Sequence, residues 1–375
     1  MGRSKKTRKL QKRVEEKESA KRRILVEEQR PWSDLPTELL MLVESSLSLE
    51  DSIRFSCVCK NWHSLHRSHR VVNQSPLLLF PQLDDGLCEF FDPSQRKSYF
   101  RHIPELVNAV ICCSKDGWLL LSKIDGISLL NPLTKSKIDL PYFDPYQFDE
   151  LEVTLSCGPT SPGCMVFAIG DTNPDVSISI WHYGDAQWTN INFQNDLHFP
   201  VCGSTPVFCG GLFYCLNNFS FNMVGVFDPK EYTWSILTVP QPIQYIRRRY
   251  QWRAVYMAEC KGELLFVHIL YPAKPTIFKL DLSEMRWIEI RSLDGETLFV
   301  SGACSLSESE IPRILRNSVY LPRFRRYGNR CYFYSLEYCR YYPTMQCPDW
   351  KRDKLFSAVW IQPPKVTQPL FEELD

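Results

Sequence analysis

Cys59, His63, His66 and His69 bring one sulfur and three imidazoles together in a short span, the donor set of a tetrahedral zinc site. Their spacing works against that chemistry, because residues three, four and six apart on one helix do not all converge on an ion. No metal and no other cofactor is expected. The motifs of common enzymes are absent as well: there is no Gly-x-Ser-x-Gly, no phosphate loop, no dinucleotide fingerprint and no His-Glu-x-x-His. A catalytic site would have to be assembled from isolated residues, and the expectation is a protein that performs no bond chemistry.

Binding chemistry is better represented. Two stretches interleave guanidinium groups with aromatic rings: Arg247-Arg248-Arg249-Tyr250-Gln251-Trp252-Arg253 and Arg323-Phe324-Arg325-Arg326-Tyr327. Guanidinium forks suit carboxylate and phosphate, and flat rings add contact area. Both stretches follow turn signals, which places them in or near loops. The candidate contacts to an acidic or phosphorylated protein segment are Arg247, Arg249, Trp252, Arg323, Phe324 and Arg325. The plainer alternative is solvated loop charge with a few internal ion pairs.

Charge is unevenly spread along the chain. The formal net charge is +1, yet residues 1–30 hold twelve Lys and Arg against five Glu, so the remainder is net acidic. A segment so rich in charge and poor in aromatics is expected to be a solvated tail outside the fold. Lys5-Lys6 and Lys21-Arg22-Arg23 resemble a two-part nuclear import signal, which implies nucleus, cytoplasm or both; the simpler alternative is a solubilising tail. Glu15, Glu16 and Glu18 argue against a mitochondrial transit peptide, and the polar start lacks the apolar core of a secretory signal. The fifteen cysteines form no Cys-x-x-Cys pair, which predicts reduced, mostly buried thiols. No apolar run approaches the ~18 residues of a membrane span.

With 375 residues, 44% hydrophobic and 13% aromatic, the chain is long enough for a small module and a large one. The small one runs from Trp32 to about Arg70. Ser33 and Asp34 offer capping oxygens, Pro36 fits a first turn, and Leu35, Leu39, Leu42, Val43 and Leu47 recur at helical spacing. A second start lies at Ser48-Leu49-Glu50-Asp51, and a third helical run places Val58, Trp62 and Leu65 on one face. Units this small bury too little surface to be comfortable alone, so a partner is expected.

Leu35-Pro36, Glu38-Leu39-Leu40, Leu47, Glu50-Asp51, Arg54 and Val58-Cys59-Lys60 followed by Trp62 resemble the F-box motif closely. The resemblance implies docking on a Skp-type adaptor and, through it, on a cullin scaffold. Carried over position by position, Leu35, Pro36, Leu39, Val43, Leu49, Val58, Cys59 and Trp62 would form or support the adaptor surface. Ser48 and Ser52 depart from the family's usual Pro and aliphatic residue.

From Leu77 onward the helical period gives way to short apolar runs broken by Gly, Pro, Asn and Asp, the pattern of many short strands. The runs repeat. A Gly-led strand, a second strand ending in Asp-Pro or a relative of it, and a turn into a Trp or aliphatic strand recur at Gly117–Pro141, Met165–Trp188, Gly210–Leu237 and Gly262–Ile290. Leu77–Pro93 begins the series, and Ser318–Leu336 adds a sixth unit. Trp188, Trp234 and Trp287 lie 46 and 53 residues apart, near the ~40–50 of propeller blades. Gly210, Gly211, Tyr214 and Trp234 resemble a kelch repeat, in which the Trp packs between blades.

The expected fold is therefore multi-domain and mainly β: a small three-helix F-box at 32–70 and a kelch-like β-propeller at 75–361, with a basic tail at 1–30 and a C-terminal tail at 362–375. This combination resembles the large plant family of F-box proteins with a C-terminal kelch-like propeller. It implies a substrate-receptor subunit of an SCF-type ubiquitin ligase, with an unidentified target protein held by the propeller. A propeller enzyme and a nucleic-acid-associated protein that uses the basic tail remain the alternatives.

Overall fold

A strand covered on both faces is written as an unbroken apolar run, because neither side meets water. Leu77-Leu78-Leu79-Phe80 and Trp118-Leu119-Leu120-Leu121 are such runs, and each of these residues is buried. The computed structural model describes residues 32, 35–45, 55, 58–68, 75–81, 85–94, 97–124, 126–144, 148, 150–171, 175–201, 205–217, 219–243, 252–271, 273–309, 311, 316–322, 330–346 and 358–363. The chain divides into two compact units, Met1–Val72 and Asn73–Asp375.

In the first unit two helices are described, α1 (Thr37–Ser45) and α2 (Lys60–Ser68). In the second, the strands form six sheets among the described residues. Blade 1 holds β1 (Leu77–Pro81), β2 (Leu87–Asp92) and β3 (Lys97–His102). Blade 2 holds β4 (Val110–Lys115), β5 (Trp118–Lys123), β6 (Gly126–Leu130) and β7 (Lys137–Asp139). Blade 3 is β8 (Leu151–Leu155), β9 (Met165–Asp171), β10 (Val176–His182) and β11 (Thr189–Phe193). Blade 4 is β12 (Val207–Cys209), β13 (Leu212–Leu216), β14 (Met223–Asp228) and β15 (Thr233–Thr238). Blade 5 follows as β16 (Trp252–Cys260), β17 (Glu263–Tyr271), β18 (Thr276–Asp281) and β19 (Arg286–Ile290). Blade 6 contains β20 (Thr297–Val300), β21 (Ser305–Glu308), β22 (Ser318–Leu321), β23 (Arg330–Ser335) and β24 (Arg340–Gln346), and β25 (Val359–Ile361) ends the series.

Blades 2 to 5 are antiparallel meanders in chain order. The repeat units seen in the sequence are out of phase with them by one strand, since each blade starts before its Gly-led strand, with β4, β8, β12 or β16. These first strands line a polar channel, as Cys113, Ser114 and Lys115 do on β4, so their apolar signal is diluted. Blade 6 departs further. β20 pairs parallel with β22 and antiparallel with β21, giving five strands where the sequence marked two. Every residue of β20 is buried, as a strand enclosed on both sides requires.

The turns between third and fourth strands share a construction. Asp92, Asn131, Asp228 and Asp281 each accept a hydrogen bond at a side-chain oxygen from the backbone two residues on, at 2.8–3.0 Å. Four residues after three of them, Lys135, Tyr232 and Met285 take φ values of 62°, 52° and 47°. The Asp-Pro signal in the sequence is this turn.

Tryptophans fill the spaces between blades, as the kelch resemblance implied. Trp188 packs in the apolar cluster shared by blades 2 and 3 and donates its indole N–H to the Pro141 carbonyl at 3.0 Å. Trp287 lies in the cluster of blades 4 and 5 against Phe266. Trp234 covers Gly225, where an added Cβ would stand 2.1 Å from the indole, so only glycine fits.

The ring is closed by β25, which pairs antiparallel with β1, Leu78 opposite Trp360. The first blade thus combines both ends of the propeller sequence. Trp360 is fully buried, donates to the Val300 carbonyl at 3.1 Å and meets the rings of Phe299 and Tyr320 edge-on. Those two rings begin a stacked row across blade 6, Phe299, Tyr320, Phe333 and Tyr342, with centroids 4.8–5.0 Å apart. Gln362, just past β25, donates to Glu308 and accepts from the Asp116 backbone, linking three blades at one point. Replacing Trp360 with Ala is expected to cost about 3–5 kcal/mol of propeller stability. A denaturant titration that gives the same midpoint for variant and parent would show that the ring is closed elsewhere.

Candidate functional site

A helical unit with so few residues can cover only a few side chains. Among the described residues of the first unit the covered set is Leu40, Phe55 and Leu65, with Leu35, Met41 and Trp62 packed against them. Phe55 and Trp62 stack with centroids 4.3 Å apart. α1 starts where the Pro36 carbonyl accepts the Leu40 N–H at 3.1 Å, a position at which proline's missing donor costs nothing. The Cys59 carbonyl accepts the His63 N–H at 2.9 Å and opens α2.

Burial divides the apolar residues of α1 in a way the periodicity did not. Leu39, Leu42 and Val43, assigned in the sequence to a common helical face, are 48%, 65% and 41% exposed, while Leu40 faces inward. Val58 is 59% exposed and lies before α2 in a bend, so it does not share a buried helix face with Trp62 and Leu65. Helical spacing identified a stripe, and the stripe points to solvent. Leu40 enters the sequence reading only as part of the F-box resemblance and Phe55 not at all, and neither is marked there as core.

The proposed adaptor contacts therefore separate into two groups. Pro36, Leu39, Val43 and Val58 are exposed, whereas Leu35, Cys59 and Trp62 are half-buried, with Leu35 and Trp62 braced on the core. Leu49 lies outside the described residues, as do Ser48 and Ser52. Lys5, Lys6, Lys21, Arg22 and Arg23 also lie outside them. So do Arg247, Arg249, Arg323, Phe324 and Arg325. Trp252 opens β16, with its backbone paired opposite Tyr271.

In the second unit the inner strands enclose a channel of about 330 Å³, lined by Ser114, Thr154, Thr205, Glu259, Ser301 and Gln362 among others. Cross-blade bonds show that these strands run in one sense. After β4, Asp116 accepts the Gly158 N–H that follows β8, at 2.8 Å. At the end of β12, Cys209 donates to Gly262, which follows β16, at 3.3 Å. These strand ends define a lower face and their starts an upper one.

The described cysteines are free thiols. Burial pushes Cys112, Cys164 and Cys304 up to about 12, and Cys209 and Cys260 up to about 11. A thiol in that range is neutral at physiological pH and serves as packing rather than as a nucleophile. Among the described residues no group of three or more His, Cys, Asp or Glu is arranged to hold a metal ion.

Residues 90–339 match the model of the KIB1-4 beta-propeller and residues 32–72 that of the F-box domain. The chain belongs to the F-box proteins that carry this propeller. An F-box/kelch-repeat protein of Arabidopsis thaliana is 36% identical over 339 residues, spanning 89% of this chain and 95% of its own. An F-box protein of the same plant is 31% identical over 355 residues, covering 92% of this chain and 93% of its own. Another is 32% identical over 347 residues, with 89% and 87% covered. In this F-box propeller protein the exposed stripe on α1 belongs to the domain whose resemblance implies an adaptor.

Thiol burial sets an alkaline limit on stability. A thiol of the unfolded chain titrates near the ordinary 9.0, whereas folded Cys304 holds its proton to about 12. The stabilising difference is complete below pH 9.0 and is lost as pH rises toward 12. Denaturant midpoints measured across this window should fall, and replacing Cys304 with Ser should remove part of the slope. A flat profile would show that the thiols titrate alike in both states.

Proposed function

We propose that this F-box propeller protein is the substrate-receptor subunit of an SCF-type cullin-RING ubiquitin ligase. The F-box unit docks on a Skp-type adaptor, and the propeller holds the protein to be modified. The chain itself makes and breaks no covalent bond. Its contribution is proximity: a target lysine held near a charged conjugating enzyme meets it at high effective concentration.

The observation that carries this is the exposed apolar stripe of α1 together with Val58. Leu39, Leu42 and Val43 stand in water while, among the described residues of the unit, Leu40, Phe55 and Leu65 are buried. Apolar side chains that stand together in water are stabilised by covering them with a partner. The resemblance to the F-box supplies the partner's class, and the Arabidopsis thaliana relative that is 36% identical is an F-box/kelch-repeat protein.

Leu35 is a poor probe of the interface, because it packs against the core and its loss mixes folding with binding. Leu39 and Val58 are better, being exposed. Changing both to Glu should weaken adaptor capture thirty-fold or more, about 2 kcal/mol, with thermal unfolding unchanged. Undiminished capture of a Skp-type adaptor by a folded double variant would rule out this surface as the docking site.

The basic tail is proposed as a nuclear import element, supported by Lys5-Lys6 and Lys21-Arg22-Arg23. Deleting residues 1–23 should lower nuclear accumulation and leave adaptor binding intact. An unchanged distribution in cells would leave the tail as solubilising charge.

A further inference from the structure

We propose that the upper face of blades 2 to 4 is the surface that takes the target, and that it accepts a Lys- or Arg-rich segment bearing large apolar side chains. This deepens the receptor assignment above and rests on it. The face is built from the connections that lead into the inner strands and from the turns between second and third strands. Two of those connections repeat one device. In Asn195-Asp196-Leu197-His198-Phe199, the Asn195 side chain accepts the Phe199 N–H at 2.7 Å and donates to the Phe199 carbonyl at 2.9 Å. In the turn from Asn217 to Phe221, the Asn217 side chain accepts the Phe219 N–H at 2.9 Å and donates to the Ser220 hydroxyl at 3.0 Å.

Both turns end on a buried phenylalanine and present an apolar residue outward in the third position. Phe199 and Phe221 are 1% and 4% exposed, whereas Leu197 and Phe219 are 54% and 69% exposed. A loop tied down on both sides of its tip gives up little conformational entropy on binding, which favours its use as an anchor. Ile124, in the corresponding turn of blade 2, is also exposed. On the lower turns Tyr183, Tyr232 and Tyr338 are exposed on blades 3, 4 and 6, and Leu282 and Met285 share the turn of blade 5, so exposure alone does not separate the two faces and charge must.

Charge selects the occupant. Among the described residues of this face on blades 2 to 4, Glu150 and Asp196 are exposed acids and Lys123 a base, while Asp144, Glu152, Asp171 and Asp175 also lie here, each with a partner inside the protein. Glu152 lies on β8, the inner strand of blade 3, opposite Ile169 of β9. The Glu150 carbonyl accepts the Asp171 N–H at 3.2 Å, so the connection into β8 lies against the end of β9. Apolar anchors in an acidic surround favour a basic apolar segment and repel an acidic one. This is the opposite preference from the one suggested by the arginine runs.

The test uses the full chain bound to a Skp-type adaptor and three fluorescent peptides of equal length: one of Lys, Leu and Phe, one with Glu in place of every Lys, and one with Ser in place of every Leu and Phe. Anisotropy should show binding of the first peptide alone. Leu197→Ser with Phe219→Ser, and separately Glu150→Lys with Asp196→Lys, should each weaken it by at least ~10-fold. Tyr183→Ser with Tyr338→Ser should leave it unchanged, and the thermal transition should be preserved throughout. Equal binding by the Leu197/Phe219 variant, preference for the Glu peptide, or no binding of any peptide would overturn the proposal. Adaptor retention is read in the same samples. If the adaptor is retained while the peptides fail to discriminate, the surface is wrong; if the parent chain does not hold the adaptor, the receptor assignment is wrong.

Discussion

A propeller is a ring, and a ring is only as strong as the place where its two ends meet. Here that place is a strand of three residues, Val359–Ile361, set against β1. So short a ladder supplies few hydrogen bonds, and the side chains make up the difference. Trp360 plugs the end of an aromatic row that crosses β20, β22, β23 and β24, so closing blade 1 also completes the core of blade 6. Gln362 then ties blade 6 to the lower turn of blade 2. The five-stranded form of blade 6 fits this role, since β20 adds the buried Phe299 against which Trp360 rests.

Rigidity gained this way bears on function because the connections can vary without endangering the blades. The tryptophans between blades and the Asx turns between third and fourth strands repeat from blade to blade. The upper connections differ in length and sequence, and it is there that Asn195 and Asn217 hold apolar tips in water. A site on rigid elements with tied loops starts close to its bound shape.

The small unit has the opposite economy. Among its described residues Leu40, Phe55 and Leu65 are buried, and α1 leaves more large apolar residues outside than inside. The propeller forms a compact unit of its own with its own core.

The sequence by itself determined the division into a helical unit and a β domain, because hydrophobic period is a local property read within a few residues. It determined the repeat, the Asp-Pro turns and the tryptophans between blades for the same reason: each is a short pattern recurring at a fixed distance. It also determined the F-box resemblance, which rests on residue types at fixed spacing. Tertiary structure alone decided which apolar side chains of α1 face water. Spacing shows that Leu39, Leu42 and Val43 share a face, but whether a face is buried depends on a neighbour distant in sequence, here Phe55 and Leu65 around Leu40. The phase of the blades was hidden because inner strands face a polar channel and read as weakly apolar. The parallel pairing of β20 with β22 and the contacts of Gln362 join residues far apart along the chain, and no local pattern encodes such a pairing.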